Sequence, residues 1–402
     1  MPGEVAQLSN GTAHQAPIDA LEVADELSRD LAATAVERDR RGGTPKEERD
    51  RLRRSGLLAL SVPASQGGLG APWPVVLEVV RRIARADSAI AHVFGFHHLM
   101  LATLRLFGSA GQASRLQAET VEKRWFWGNA LNPLDTRARL ARRGESLVVR
   151  GAKSFCSGAG DSDMLIVSAI DEATSKLVVA AVPTDRPGIR VLGDWDNMGQ
   201  RQTDSGTVEL DDVEVRPDEL LTTPGPLGSP FASLRPCLAQ LTLANVYLGI
   251  AEGALEEAQR YTRTRRRPWG GAKGAPATED PYILLRYGDM WLDLESARLL
   301  TDRAGAAFQA AWDEGDRLSP AQRGACAIAV ASAKVATTRT GLAITSGMFE
   351  VMGASATSAG AGMDRFWRNL RTHTLHDPVD YKSRELGAFA LNGVIPEPSF
   401  YS

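Results

Sequence analysis

The apolar period of this chain changes twice along its length, and that order constrains the fold more than any single motif. From Asp19 to about residue 124, apolar residues recur every three or four positions, as they do along one face of a helix. Leu21, Ala24, Leu27 and Leu31 set the register, and Asp19 with Glu22 three residues on reads as a capping box. The same spacing runs through residues 51–60, 74–85 and 99–107. From Trp125 the period falls to two, with β runs at 147–149, 164–167, 177–182, 208–210 and 213–215. Gly144-Glu145 and Asp211-Asp212 sit between such runs as turn residues. Helical spacing returns from about Ser229 through Leu234, Leu238, Leu241, Asn245 and Leu248, then over 280–312 and 320–347.

A chain of 402 residues exceeds one small core, so several lobes are expected. The order helical, β, helical predicts an α+β protein. Residues 1–17 form a disordered tail, 18–124 an N-terminal helical domain, 125–228 a central antiparallel β-barrel, and 229–402 a C-terminal four-helix bundle. The polar, small-residue tail has no basic start or apolar core, so no secretory signal is expected. No run approaches the ~18 uninterrupted apolar residues of a membrane span.

Hydrophobic content of 43% and charged content of 24% are ordinary for a globular protein. A net charge of −3 argues against nucleic acid as the main partner. Cys156, Cys237 and Cys326 lie far apart without metal-ligand spacing, and so sparse a set suits a reducing cytoplasm. The run Arg263-Thr-Arg-Arg-Arg267 reads either as a solvated helix end or as a phosphate anchor.

Several segments carry polar or rigid residues at points where the period breaks. VPASQGGLG (62–70), with three glycines, is a loop where backbone turns sharply or packs closely. Others are FGFH (94–97), WGNA (127–130), GAKSFCSGAGDSD (151–163), DWDNMGQRQTDSG (194–206), RRPW (266–269), ATEDPY (277–282) and DRFWRNLRTHTLHDPVDYK (364–382). In shared order and spacing they resemble the acyl-CoA dehydrogenase superfamily, and within it the flavin-dependent monooxygenase branch of the dibenzothiophene monooxygenases. The superfamily's catalytic glutamate sits in a Tyr-Glu-Gly triplet, and His376-Asp377-Pro378 stands there here. A base must lie within about 3 Å of the proton it removes. A shorter acid beside a φ-locking proline is ill placed for that, whereas a histidine gives or takes protons near neutral pH.

The resemblance implies the acyl-CoA dehydrogenase fold and a site for reduced FMN, with molecular oxygen as co-substrate. It places Phe155, Ser157 and Trp195 against the flavin ring and Arg267 on its phosphate. Val351 and Gly353 fall in a turn that holds the cofactor across a subunit interface. It further implies His97, Asn129, Ser157 and His376 as catalytic residues, the two histidines giving protons from opposite lobes. His92 and His98 read as structural, and Asp377 reads as an orienter of His376 only if the two face each other. The chain has no GxGxxG fingerprint, so a separate NAD(P)H:flavin reductase is the expected partner.

The activity implied is oxidation of the sulfur of a small thiophenic heterocycle, dibenzothiophene-like, to sulfoxide and sulfone through a flavin C4a-hydroperoxide. Alternatives with the same chemistry take an aromatic or indole carbon, an amine nitrogen or an alkyl sulfone. A conventional acyl-CoA dehydrogenase is the reading that His376-Asp377-Pro378 opposes. The expected assembly is a cytoplasmic homotetramer built through the C-terminal bundle, where ACAIAVASAKVA (325–336) would let helices approach closely.

Overall fold

The structure is a computed structural model that describes residues 19–264 and 276–402. The tail expected over 1–17 and the anchor Arg267 lie outside the described residues.

Five helices come first: α1 (Ala20–Arg41), α2 (Lys46–Ser55), α3 (Trp73–Ala86), α4 (Ser88–Phe107) and α5 (Ala110–Lys123). The Asp19 carboxylate caps α1 by accepting from the Leu21 and Glu22 N–H groups. Ala24, Leu27 and Leu31 of that helix are buried, and Leu21 lies at the margin of the core. The 62–70 loop folds back on itself so tightly that a Cβ at Gly68 would meet the Val62 carbonyl oxygen at 2.2 Å. It brings the backbone of 57–60 against α4.

The β lobe contains β1 (Trp127–Ala130), β2 (Arg139–Arg143), β3 (Ser146–Lys153), β4 (Met164–Asp171), β5 (Leu177–Pro183), β6 (Ile189–Val191) and β7 (Val208–Val215). All seven form one sheet around a separate apolar core of Leu140, Val149, Val167, Val182, Leu210 and Val213. Two details differ from the sequence reading. The sheet is mixed rather than wholly antiparallel, because β1 and β2 share one edge of β4 and both run parallel to it. Asp211-Asp212 is no turn: it lies inside β7, where Asp212 has φ 49° and pairing to β3 shifts register between Val149 and Gly151. A bulge puts polar residues in mid-strand, which mimics a turn in sequence.

The C-terminal lobe packs α6 (Leu234–Thr264), α7 (Pro281–Glu314) and α8 (Pro320–Met352), with α9 (Asp364–Thr374) and α10 (Val379–Asn392) against α8. Over 325–336, Cys326, Ala327, Val330, Ala331, Ala333, Lys334 and Val335 are buried, and Ala325, Ile328, Ala329, Ser332 and Ala336 keep some exposure, on a helix packed against α6 and α7. A run of exposed apolar residues lies on α7: Leu284, Leu285, Trp291, Leu292 and Leu299. Helices α4 and α6 are each long and apolar enough to cross a membrane, yet 94% of each apolar window is buried among the other elements. They are the central helices of the fold, and α4 lies against α3, α6 and β1.

Candidate active site

Where β3 ends, the chain turns sharply through 154–158 and is stitched to two neighbours. The Asn129 N–H donates to the Ser157 carbonyl at 3.0 Å, the Gly158 N–H to the Thr203 carbonyl at 2.9 Å, and the Cys156 N–H to the Gly206 carbonyl at 3.0 Å. The turn is thereby fixed between β1 and the 200–206 loop, directly over α4.

Four side chains then form a hydrogen-bonded row. His92 Nε2 lies 2.9 Å from the Ser157 hydroxyl, which is 2.7 Å from the Ser205 hydroxyl, itself 2.7 Å from the Thr203 hydroxyl. Thr203 donates to the Gln200 carbonyl at 2.9 Å. A carbonyl can only accept and a hydroxyl has one proton, so the whole row is polarised. Ser205 donates to Thr203, Ser157 to Ser205, and His92 Nε2–H to Ser157. Ser157 consequently keeps one free lone pair and no free proton. His92 is a neutral imidazole with its proton on Nε2, and its Nδ1 is buried without a partner. Burial, with help from His376 nearby, depresses its pKa to about 3.

Beside this row stand Phe155 and Trp195. Phe155 has φ 60°, a left-handed backbone that a bulky residue rarely adopts, and it is 58% exposed. The two rings meet edge to face at 6.0 Å. The Trp195 indole N–H donates to the Gln200 carbonyl at 2.9 Å, the same oxygen that orients Thr203. Two partly uncovered rings next to a serine lone pair suit a flat heterocycle with an N–H donor on its edge.

The opposite wall comes from the C-terminal lobe. His92 packs 4.1 Å from the Phe96 ring and 4.7 Å from the ring of His373, whose Nδ1 is also buried and unpartnered. Helix α9 ends at Thr374, so His376 and Asp377 are not consecutive helical residues and can face each other: His376 Nδ1 lies 2.9 Å from Asp377 Oδ1. That reverses the geometric objection to Asp377 as an orienter. The same oxygen accepts from the buried Lys334 ammonium at 3.2 Å. Lys334 also donates to the Tyr247 hydroxyl at 3.2 Å, and Tyr247 donates to the His373 carbonyl at 2.8 Å. Burial alone would raise the Asp377 pKa, but Lys334 and His376 outweigh it and hold the carboxyl well below the usual range. The His376 side chain is 45% exposed, so its Nε2 is free to face a bound molecule.

The other expected site residues are less well assembled. His97 does not join the row: its Nε2–H donates to the Leu58 carbonyl at 2.9 Å and its Nδ1 accepts from the Trp127 N–H at 3.2 Å. Both nitrogens are spent on backbone, and burial lowers its pKa to about 4. It ties the helical lobe to β1, and His92, five residues earlier on another face of α4, stands at Ser157. His98 is similarly committed to the Leu57 carbonyl and the Ser61 hydroxyl. Asn129 is buried on β1 with its side-chain carbonyl accepting from the Leu131 N–H at 3.1 Å, which leaves its NH₂ group and one carbonyl lone pair to offer. Val351 is fully buried within its own chain, its carbonyl accepting from Thr262 at 3.3 Å. Gly353, φ 81°, ends α8 at the surface. Neither is brought near Ser157 by a contact within the chain. His92, His373, Lys334, Tyr247, Thr203 and Ser205 are the site residues that sequence reasoning missed.

Comparison with known proteins follows the same three lobes. The acyl-CoA dehydrogenase family matches as its N-terminal domain over 20–123, its middle domain over 128–213 and its C-terminal domain over 241–381. A probable FMNH2-dependent monooxygenase of Pseudomonas putida is 55% identical over 98% of this chain and 100% of its own length. A dibenzothiophene monooxygenase of Rhodococcus erythropolis is 44% identical, covering 96% of each chain. Among solved structures, the methanesulfinate monooxygenase of Pseudomonas fluorescens superposes with a TM-score of 0.95 at 55% identity, covering 96% of this chain and 100% of that one.

Four histidines, 92, 97, 98 and 373, are held neutral by burial. In the unfolded chain each titrates near 6.5. Below that pH the unfolded state binds protons that the folded state refuses, so stability falls as pH drops from about 6.5 toward the folded values. The slope approaches ~1.4 kcal/mol per pH unit for each histidine. Melting temperature followed from pH 7.5 to 4.5 should drop well before carboxylates titrate, and His97→Gln should flatten the decline. A profile level down to pH 5 would contradict this charge assignment.

Proposed function

The chain belongs to the acyl-CoA dehydrogenase family, and we propose that it works there as a two-component monooxygenase that oxidises sulfur. It uses reduced FMN and molecular oxygen, the FMNH2 coming from a separate NAD(P)H:flavin reductase. The substrate in this reading is a small thiophenic heterocycle such as dibenzothiophene, oxidised by a flavin C4a-hydroperoxide in the cytoplasm.

The observation that carries the reading is the state of Asp377. One carboxylate oxygen is shared by Lys334 and His376, and the other is buried without a partner. A carboxylate so stabilised and enclosed is a weak base with no access to a substrate carbon. The acid at the family's catalytic position therefore serves His376, and α-proton abstraction from an acyl-CoA has no agent. His376 in turn has a free nitrogen beside the cleft, suited to placing a proton on a departing oxygen.

The residues present fit reduced FMN. When bound, FMNH2 supplies the activated oxygen. Phe155 and Trp195 would enclose its ring, and the Ser157 lone pair would accept from a ring N–H. The oxidised ring has an acceptor at that edge, and the polarised row leaves Ser157 no proton to give it. Arg267 remains the proposed phosphate anchor, Asn129 a hydrogen-bonding group for the oxygen or substrate, and Val351 and Gly353 a cofactor contact from a second subunit. His92, neutral and stacked on Phe96, and His373, neutral and packed on His92, keep charge away from Ser157.

A second reading of substrate has its own support: the 55% identical methanesulfinate monooxygenase acts on a small sulfur oxyanion. The balanced reaction is RSO₂⁻ + O₂ + FMNH2 → RSO₃⁻ + FMN + H₂O. A homotetramer, a dimer of dimers, is proposed for either substrate, with the exposed α7 residues rather than the Ala-rich stretch as the apolar contact.

Light scattering at micromolar concentration should give a tetramer, and Trp291→Glu should break it down; a monomeric wild-type protein would remove the cross-subunit cofactor contact. His376→Ala should lower product formation by ~10²-fold or more. FMN affinity should change little, with FMNH2 consumption diverted to hydrogen peroxide. Full product yield per FMNH2 in that variant would make His376 structural.

A further inference from the structure

Arg235 is a buried cation with no anion. It lies in the first turn of α6, is 7% exposed, and makes one side-chain hydrogen bond, from Nε to the Thr103 hydroxyl at 2.9 Å. Among the described residues neither Nη atom has a protein partner. Nor are these atoms sealed off, unlike Nη1 of Arg323, which is buried and unsatisfied. Other buried arginines are neutralised: Arg38 by Asp87 and Glu48, Arg81 by Asp302 and Glu78.

Position makes the unpaired charge costlier. The N-terminal end of a helix carries partial positive charge and favours anions. A guanidinium there, desolvated and unpaired, is opposed by both effects. An anion seated against its two free Nη groups would relieve both, and the planar guanidinium offers a bidentate fork to an oxyanion.

The site adjoins the catalytic wall through Tyr401. That ring lies 6.3 Å from the His376 ring. Its phenol feels both Arg235 and Asp377, and its carbonyl accepts from Gln240 on α6. One side chain therefore borders both the Arg235 charge and His376.

We propose that Arg235 is a specificity-determining residue that binds the oxyanion head of the substrate, with Tyr401 covering the site, so that the substrate is a small sulfinate-type anion. The inference rests on the oxygenase reading and narrows it to the second of its two substrates. An oxyanion held by two charge-assisted bonds would leave its sulfur lone pair directed away from the guanidinium and open to oxygen.

The test is direct binding, independent of turnover. Ethanesulfinate should bind the wild-type protein in titration calorimetry with flavin absent, and Arg235→Met should weaken it ~10- to 100-fold. Arg235→Lys should recover part of the loss. Because Met removes an unpaired buried charge, Arg235→Met should also raise the melting temperature without ligand, which a merely structural arginine would not do. Sulfate is the control: equal affinity for sulfate and ethanesulfinate would mean a generic anion site and overturn the substrate assignment. Absence of ethanesulfinate binding to wild type, or unchanged binding in Arg235→Met, would overturn the proposal as well. FMNH2-dependent oxygenation of any member of a panel of dibenzothiophene, indole and alkanesulfinates judges the oxygenase reading separately.

Discussion

The contact on which the site depends is the hydrogen bond between His92 on α4 and the Ser157 hydroxyl in the turn after β3. It joins the two lobes at the point where we propose the cofactor lies, and it has one sense. The Gln200 carbonyl fixes Thr203, Thr203 fixes Ser205, and Ser205 fixes Ser157. A lone pair is thus presented at the cleft by groups as far as three hydrogen bonds away. The burial that keeps His92 neutral is what keeps that sense: a charged imidazolium on α4 would be desolvated without a counter-ion. Rigidity of the two central helices, both almost wholly enclosed, holds the row in place.

The second constraint is the Lys334–Asp377–His376 group. A buried ion pair contributes little to net stability once desolvation is counted, so its value here is positional. Lys334 spans from Asp377 to Tyr247, and Tyr247 holds the backbone of His373. The segment after α9 is thereby clamped to α6 and α8, and His376 is presented at a fixed angle. Asp377 thus acts as the support for a histidine.

Much of the architecture was legible in sequence because α1, α3, α7 and α8 each bury one face and keep a helical period. What was missed has physical causes. The first half of α4, SAIAHVFGFHH, is buried on all faces and so shows no period. His92 sits in that stretch just outside FGFH, the segment that singled out His97 instead. Asp211-Asp212 imitated a turn because a bulge exposes polar residues inside a strand. His376-Asp377 was judged as if the helix continued, whereas it ends at Thr374. Motif order pointed to Ser157, Phe155 and Trp195, but the polarity of the row depends on Thr203 and Ser205, whose hydroxyls carry no sequence signal.

In the proposed function this chain transfers one atom of molecular oxygen to sulfur at the expense of reduced FMN. Turnover under ¹⁸O₂, with a flavin reductase and NADH regenerating FMNH2 and a panel of dibenzothiophene and short alkanesulfinates, tests it most directly. The account predicts one ¹⁸O atom in the product for each oxygenation and FMNH2 consumption that matches product. Unlabelled product, or no oxygenated product alongside dye reduction by an acyl-CoA thioester, would contradict it.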